Sequence, residues 1–207
     1  MNINQLDSQV SYYTDLVSKF SDKRDLLSKA GIWPVRGLLE PVEDTENFWI
    51  RKQGSKYEIG NNDYILDQEN SSQRVLGEAL KPFNKMINDC IDEYKTTHGI
   101  SKITEPINVD TVIRFERGHN RSTHSHDGDY SVILYLNEDY VGGQLSFTTK
   151  ENTAINPLVH PRYPENRDQI DFWLKPDDFS ILIFPSNYKH IEHAIASWNR
   201  YQIIAEF

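Results

Sequence analysis

The second half of the chain alternates between short β-rich runs and turns, and this alternation constrains the fold more than any other feature of the sequence. The runs are rich in valine, isoleucine, tyrosine and phenylalanine, the residue types that favour strands. Short strands separated by turns predict a small all-β barrel or sandwich. The runs are Ile107–Phe115, Tyr130–Asn137, Gln144–Thr149, Phe172–Lys175, Phe179–Phe184 and Tyr201–Phe207.

Two connections between these runs carry their own predictions. Gly142 and Gly143 separate two runs, and paired glycines adopt the positive φ angles of a tight hairpin, so antiparallel flanking strands are expected. The longer segment Glu151–Gln169 contains three prolines and little periodicity. Long irregular segments of this kind frequently cover binding sites, so we expect a loop over a site mouth.

The first half of the chain predicts helices. Apolar residues recur at near-helical spacing from Leu6 to Leu27, which predicts one or two amphipathic helices. A clearer helix follows Ser72 and ends at Gly99, with Pro82 expected to kink or divide it. Residues 33–62 show no sustained period and predict irregular structure with short strands at best. We therefore predict one structural domain, with a helical support region at 1–100 and a β core at 101–207.

Composition narrows the class of protein. The 207 residues carry a formal charge of -9 and no lysine or arginine run, so a nucleic-acid partner is not expected, whereas a peptide or small-molecule substrate is. Cys90 is the only cysteine, which excludes an intrachain disulfide and a cysteine metal cage. The sequence has no long apolar run and no signal-peptide pattern, so a cytoplasmic protein without membrane attachment is expected. The sequence does not predict the oligomeric state.

A histidine-rich segment precedes the run at Tyr130. On an extended backbone residues i and i+2 point to the same face, so His124 and His126 can direct two imidazoles into one cavity while Ser125 and Asp127 face away. Two nitrogen donors on one short segment form half of a metal site. A third ligand must come from elsewhere in the chain.

The complementary segment lies near the C-terminus. The apolar run that begins at Phe179 ends in a turn carrying His190, and Arg200 follows ten residues later. A histidine leaving one strand and an arginine entering the next can face each other across a hairpin, which places a fixed cation beside a metal. His193 is the alternative to His190, but its spacing to Arg200 is seven residues.

These segments together resemble the iron(II)/2-oxoglutarate-dependent oxygenases, in particular the prolyl 4-hydroxylase-like branch of phages and bacteria. The resemblance covers about residues 109–207. It is carried by motifs in a consistent order: Phe115, Gly118 and His124; Tyr135-Leu136-Asn137; the turn at Glu138–Tyr140; Gly142-Gly143; the strand Pro176–Ser186 before His190; and Arg200.

The resemblance implies the fold, the cofactors and the roles of several residues. The implied fold is α+β, with N-terminal helices packed on a double-stranded β-helix, or jelly-roll, barrel. The implied cofactors are iron(II), 2-oxoglutarate as cosubstrate and O₂, with ascorbate as a further candidate. Arg200 would bind the distal carboxylate of 2-oxoglutarate with help from Tyr135, and His124 and His190 would bind iron. The implied activity is hydroxylation of an unactivated C–H bond, with a prolyl side chain as the first substrate expectation.

The sequence departs from the family at the second metal ligand. The family motif is His-x-Asp, whereas His126 stands where the aspartate belongs and Asp127 follows one residue later. Either His126 is the third ligand or a bulge turns Asp127 inward, with His126 favoured because it shares a strand face with His124. No catalytic residue beyond the metal ligands is predicted. Two alternatives remain: a non-catalytic module that binds a metal or carboxylate, and a three-histidine iron dioxygenase that does not use 2-oxoglutarate.

Overall fold

The structure is a computed structural model dominated by antiparallel sheets. Every strand pairing among the residues that it describes is antiparallel. No helix in that part of the chain is long and apolar enough to cross a membrane. The described residues are 2–14, 16, 32–35, 38–41, 48–53, 56–61, 72–102, 105–109, 112–138, 140–150 and 154–207.

Eight strands form the larger sheet, in the spatial order β1-β2-β13-β9-β16-β7-β6-β5. Four of them come from residues 1–100, so the predicted helical support region also contributes to the sheet. In chain order these strands are β1 (Asn2–Asp7), β2 (Val10–Thr14), β5 (Phe48–Gln53), β6 (Lys56–Asn61), β7 (Val112–Phe115), β9 (Tyr130–Tyr135), β13 (Ser180–Pro185) and β16 (Arg200–Glu206).

The smaller sheet has four strands in the order β12-β11-β14-β8, and two strand pairs complete the β structure. The four strands are β8 (Arg121–His124), β11 (Leu145–Thr148), β12 (Phe172–Leu174) and β14 (Lys189–Glu192). The pairs are β3 (Ile32–Val35) with β4 (Leu38–Pro41), and β10 (Val141–Gly142) with β15 (Ile195–Ser197).

Side chains alternate between the two faces of the large sheet. On β16, Tyr201 and Ile203 join the apolar cluster that contains the helix residues, whereas Arg200 and Gln202 lie on the opposite face. That opposite face carries a second cluster with the small sheet, which includes Leu182 of β13. The alternation therefore places Arg200 on the side of the large sheet that faces the small sheet.

Helix α1 (Ser72–His98) covers the outer face of the large sheet. It starts and ends where the sequence predicts and continues through Pro82, so of the two expected effects of this proline, a kink or a division, the division does not occur. Its buried side chains recur every three to four residues, as required of a helix with one apolar face. They are Phe83, Met86, Ile87, Cys90, Ile91 and Tyr94. A second helix, α2 (Pro164–Arg167), forms a single turn within the long irregular segment.

The helix predicted from Leu6 is wrong where the structure describes that stretch. Strand β2 pairs with β13, with Tyr13 opposite Ile181. Tyr13 packs toward the helix face of the sheet and Tyr12 packs toward the small sheet, so both faces of this strand are buried. A strand buried on both faces has no polar alternation, and its apolar residues can imitate helical spacing. Residues 17–27 of the predicted helix lie outside the described residues.

The front of the chain holds more strand than its sequence predicts. Strands β5 and β6 form a regular hairpin with Phe48 opposite Asn61, where irregular structure was expected. Strand β6 then pairs with β7, which connects the hairpin to the large sheet. Glycine and polar residues in the hairpin mask its alternation in the sequence. Pairing with β7 supplies stabilisation that a local pattern cannot show.

Gly142 and Gly143 adopt the predicted positive φ angles, 80° and 66°, but they do not close the expected hairpin. The flanking strands β9 and β11 belong to different sheets, and Gly142 in β10 pairs with Ile195 instead. A Cβ atom on Gly142 would lie 2.2 Å from the carbonyl oxygen of Ala194. Glycine is therefore required here by a close approach between backbones as well as by φ.

Replacing Gly142 with alanine should lower the free energy of unfolding more than replacing Gly99 with alanine. Gly99 has a similar φ of 65°, but an added Cβ there meets no atom within 4 Å. The Gly99 variant therefore isolates the conformational cost, about 1–2 kcal/mol. At Gly142 the overlap with Ala194 should add about 1–3 kcal/mol. Urea unfolding measures both, and equal losses would contradict the close approach.

Candidate metal centre

His124 and His190 face each other across the small sheet. Strands β8 and β14 are paired, and the register puts these two residues directly opposite each other. Opposed residues on paired antiparallel strands bring their side chains into contact on one face. The centroids of the two imidazole rings are 4.1 Å apart. The structure therefore brings together the two histidines that the sequence predicts as ligands.

His126 joins this pair from just beyond the end of β8. Its backbone N–H donates to the carbonyl oxygen of Ser186 at 2.8 Å, which fixes the segment against the end of β13. Its ring centroid lies 5.4 Å from that of His124 and 4.9 Å from that of His190. Each of the three histidines offers a ligand atom, and these atoms all lie within 4.8 Å of one another. The predicted i, i+2 geometry is observed.

Asp127, the alternative third ligand, is exposed and lies outside the histidine cluster. The i, i+2 alternation of an extended segment accounts for this, because it turns Asp127 away from the face that His124 and His126 share. The β8–β14 pairing does contain a register irregularity, between the pairs Glu192–Arg121 and His190–His124, but Asp127 stays exposed beyond it. The conformation of this segment therefore agrees with His126, and not Asp127, as the third member of the cluster.

Hydrogen bonds fix the orientation of the three rings. Nδ1 of His124 lies 2.8 Å from the carbonyl oxygen of Ser122, and Nδ1 of His190 lies 3.0 Å from that of Tyr188. Because a carbonyl oxygen only accepts, both Nδ1 atoms must carry the proton, and each Nε2 keeps a lone pair. The Nε2 atom of His124 is buried and has no hydrogen-bond partner among the described residues.

His126 is oriented by a hydroxyl and a carboxylate. Its Nδ1 lies 2.8 Å from Oγ of Ser131 and 3.3 Å from Oε1 of Glu206 on the last strand. The carboxylate can only accept, which favours the same Nδ1–H tautomer as in the other two rings. A carboxylate behind a histidine is the usual arrangement in metal sites, because it raises the basicity of the ligand nitrogen.

The donor set fits a divalent transition metal. Three neutral imidazoles suit iron, zinc, copper or nickel. Metal–nitrogen bonds of about 2.1 Å put ligand atoms on one side of an ion about 3–3.5 Å apart, so the widest pair of this cluster, within 4.8 Å, has to contract by at most about 1.8 Å when a metal binds. A buried Nε2 lone pair without a partner is costly unless it binds something. The residues therefore fit a bound iron(II) ion.

Burial holds all three histidines in the neutral form that a metal requires. It lowers the pKa of His124 and of His126, and it lowers the pKa of His190 to about 3, where the neighbouring His124 acts in the same direction. The cluster is consequently uncharged at neutral pH. Metal binding at that pH need not displace protons from these rings.

Arg200 lies on strand β16 with its side chain buried, as predicted, but it is bonded to a residue that the sequence analysis missed. Its Nη2 donates to Oε2 of Glu192, and its Nη1 donates to the carbonyl oxygen of Gly143 at 3.2 Å. Although burial alone raises the pKa of Glu192, the Arg200 guanidinium holds it at about 2. Glu192 stands two residues after His190, and the strand period could have placed it on the same face.

Tyr135 is fully buried on the neighbouring strand, opposite Gln202. Burial raises the pKa of its hydroxyl well above the ordinary value, while the nearby Arg200 acts in the opposite direction. Tyr135 therefore stays protonated and can donate a hydrogen bond at neutral pH. Its proximity to Arg200 agrees with the predicted pairing of these residues, whereas their role toward a cosubstrate stays a prediction.

The other histidines have structural surroundings. His193, the alternative to His190, is buried with Nε2 at 2.8 Å from Oγ of Ser146 and Nδ1 at 2.8 Å from the carbonyl oxygen of Val159. Both ring nitrogens are occupied, so His193 connects β14 to the long irregular segment. His119 is also buried, with its ring centroid 4.1 Å from that of Phe115.

The stability of the metal-free protein should fall as the pH is lowered from about 6.5 to about 4. Burial holds the pKa of His193 at about 4, against an ordinary value of 6.5. Between these values only the unfolded chain binds the proton, so acid favours unfolding, and above 6.5 this residue contributes no pH dependence. His193→Gln removes one titrating group and should reduce the dependence, because the three clustered histidines, whose pKa is also lowered by burial, still contribute. Thermal unfolding across this range measures it, and an unchanged slope in the variant would contradict the assignment.

Comparison with known proteins rests on structure, because no protein-family model and no curated protein matches the sequence. A prolyl-4-hydroxylase from Pseudomonas putida aligns over 95% of this chain and 90% of its own, with a TM-score of 0.50 and 14% identity. An oxidoreductase of the 2OG-Fe(II) oxygenase family from Burkholderia pseudomallei aligns over 99% of this chain and 91% of its own, with a TM-score of 0.48 and 11% identity. The likeness to the prolyl-4-hydroxylase shows a shared fold, and the antiparallel sheets are consistent with the predicted jelly-roll.

Proposed function

We propose that this protein is an iron(II)-dependent oxygenase that hydroxylates an unactivated C–H bond of a peptide or small molecule. The observation that carries the proposal is the cluster of three buried or half-buried histidines whose ring nitrogens are oriented for one metal ion. The fold likeness supports the same reaction type. Iron(II) bound there would supply the activation of O₂, a reaction that side chains alone do not perform.

The chain's own contribution is to hold and orient the metal. His124, His126 and His190 would bind it through Nε2, since hydrogen bonds occupy the Nδ1 atoms of all three. Three ligands on one side of an ion leave the remaining coordination positions open for O₂ and another molecule. Three neutral imidazoles do not offset the charge of the ion. Glu206 behind His126 supplies part of the missing negative charge from outside the ligand set.

Apolar side chains shield one side of the centre from water. The rings of Phe184 and Phe147 lie 5.1 and 5.8 Å from the ring of His190, measured between centroids. Phe147 also lines an open cavity of about 300 Å³ together with Phe172 and Tyr188. We propose this cavity as the substrate entrance, because it is half apolar and borders the histidine cluster through Phe147. A prolyl side chain of a peptide is the first candidate substrate.

The predicted cosubstrate 2-oxoglutarate does not fit the observed state of Arg200. The guanidinium that would receive its distal carboxylate already donates to Glu192. A three-histidine iron dioxygenase that does not use 2-oxoglutarate is therefore the second candidate function. Other 2-oxo acids would approach the metal through their 2-keto and 1-carboxylate oxygens and need no contact with Arg200. The dependence of the activity on each 2-oxo acid must therefore be measured.

The proposed function is tested by oxygen incorporation. Iron-loaded protein is incubated with O₂ and proline-containing peptides, with no 2-oxo acid, with 2-oxoglutarate or with 2-oxobutyrate, and products are analysed by mass spectrometry alongside O₂ consumption. In the arms that contain a 2-oxo acid, which supplies two electrons and takes the second oxygen atom as it is converted to a shorter carboxylic acid and CO₂, we expect iron-dependent addition of one oxygen atom to the substrate. This addition should be lost in the His190→Ala variant. A non-catalytic binding module would instead be supported if the protein binds the metal tightly but consumes no O₂ under any of these conditions. This outcome has to hold for a broad set of peptides and small molecules.

A further inference from the structure

Arg200 is an enclosed cation whose carboxylate partner comes from the chain itself. Its side chain is 1% exposed and that of Glu192 is 5% exposed. The ring of Phe115 lies under the guanidinium, 5.0 Å from its central carbon. The Nε atom of Arg200 has no hydrogen-bond partner within the described part of the chain. The guanidinium is thus a formed carboxylate receptor that an internal carboxylate already occupies.

Glu192 is held in place by its strand as well as by Arg200. It lies on β14 opposite Leu145, and its Oε1 is 3.6 Å from Nη1 of Arg121. Its Oε2 is 4.0 Å from Nε2 of His119. Several donors and a rigid strand therefore position the carboxylate. An entering anion would have to displace it from all of them.

The position of Glu192 relative to the metal ligands determines what it blocks. Glu192 and His190 are separated by two strand positions, about 7 Å, and their side chains point to the same face. Glu192 already accepts from the Arg200 guanidinium. The far carboxylate of a molecule bound at the histidine cluster would therefore have to displace Glu192 to use the same donors.

We infer, on the basis of the proposed iron centre, that Glu192 is a specificity-determining residue that excludes dicarboxylates such as 2-oxoglutarate from Arg200. The centre then accepts molecules that bind the metal at one end and carry no carboxylate at the other. Removing the Glu192 side chain exposes the guanidinium and leaves space for a small carboxylate. Acetate carries the same carboxylate group that the Glu192→Ala change removes.

The inference is tested with metal-free protein, so that binding to Arg200 is separated from binding to a metal. Acetate, glutarate and 2-oxoglutarate are titrated by calorimetry and by their effect on the unfolding temperature. We expect the parent chain to bind glutarate at least about 30-fold more weakly than the Glu192→Ala variant, the factor associated with one charge-assisted pair. Acetate should raise the unfolding temperature of that variant and leave the parent unchanged. Adding Arg200→Gln to Glu192→Ala should abolish both effects.

A second variant keeps the test decisive if Glu192→Ala does not fold. Glu192→Gln fills the same space without charge, so it should bind glutarate more tightly than the parent but more weakly than the alanine variant. Parent protein that binds glutarate or 2-oxoglutarate with micromolar affinity, and loses it in Arg200→Lys, would overturn the inference. Folded variants that gain no carboxylate binding would overturn it as well. These titrations contain no metal, so they test carboxylate binding at Arg200 and not iron binding. Failure of the parent to bind iron in a separate titration would refute the proposed function.

Discussion

Replacing His190 with alanine should lower the affinity for iron(II) by more than about 100-fold, the upper end of the loss seen when only a supporting residue of a metal ligand is removed. The ring of His190 makes the two shortest contacts in the cluster, with centroid distances of 4.1 Å to His124 and 4.9 Å to His126. Without it, His124 and His126 remain as two donors on one segment. Competition with a chromophoric chelator measures the affinity.

The matched control for this variant is His193→Gln. His193 is also buried and lies three residues later, but hydrogen bonds occupy both of its ring nitrogens. Its replacement should change iron affinity by less than about threefold while lowering stability, since it removes two hydrogen bonds. A larger loss of iron in His193→Gln than in His190→Ala would reverse the assignment of the distal ligand.

Replacing Arg200 with alanine should destabilise the fold by about 3–5 kcal/mol, because it leaves Glu192 buried without its guanidinium partner. The double variant Arg200→Ala/Glu192→Ala removes both charges and should be more stable than the sum of the two single changes predicts. Urea unfolding of the four proteins in this cycle measures the coupling between the residues.

Arg121→Ala is the control for that cycle. Arg121 also approaches Glu192, at 3.6 Å, but its side chain is 44% exposed. An exposed ion pair contributes at most about 1 kcal/mol, so this variant should be close to the parent in stability. Equal destabilisation by Arg121→Ala and Arg200→Ala would show that burial does not distinguish the two arginines, contrary to the structure.

The sequence predicted the β core well because its strands are short and clearly bounded. The runs beginning at Tyr130, Gln144, Phe172, Phe179 and Tyr201 all correspond to observed strands. It predicted helix α1 because one apolar face repeats over many turns. It failed at residues 10–14, where a strand buried on both faces imitates helical spacing. Tertiary pairing also formed the β5–β6 hairpin where local pattern was weak.

The sequence predicted the histidines of the candidate site but not the ion pair between Arg200 and Glu192. The spacing of His124, His126 and His190 contains the chemistry of a metal site, and the i, i+2 rule predicts which side chains share a face. The partner of Arg200 could not be identified by resemblance, because Glu192 matches none of the family motifs. Only the packing of the small sheet, which carries Glu192 on β14, against the large sheet, which carries Arg200 on β16, shows that the arginine is already paired.

An anaerobic titration of the metal-free protein and its variants with iron(II) measures which residues hold the metal. We predict one ion per chain in the parent and in the Asp127→Ala variant, since Asp127 is exposed and lies outside the histidine cluster. Binding should be lost or strongly weakened in His124→Ala, His126→Ala and His190→Ala. A parent chain that binds no iron, or an Asp127→Ala variant that loses iron while His126→Ala retains it, would contradict the three-histidine centre.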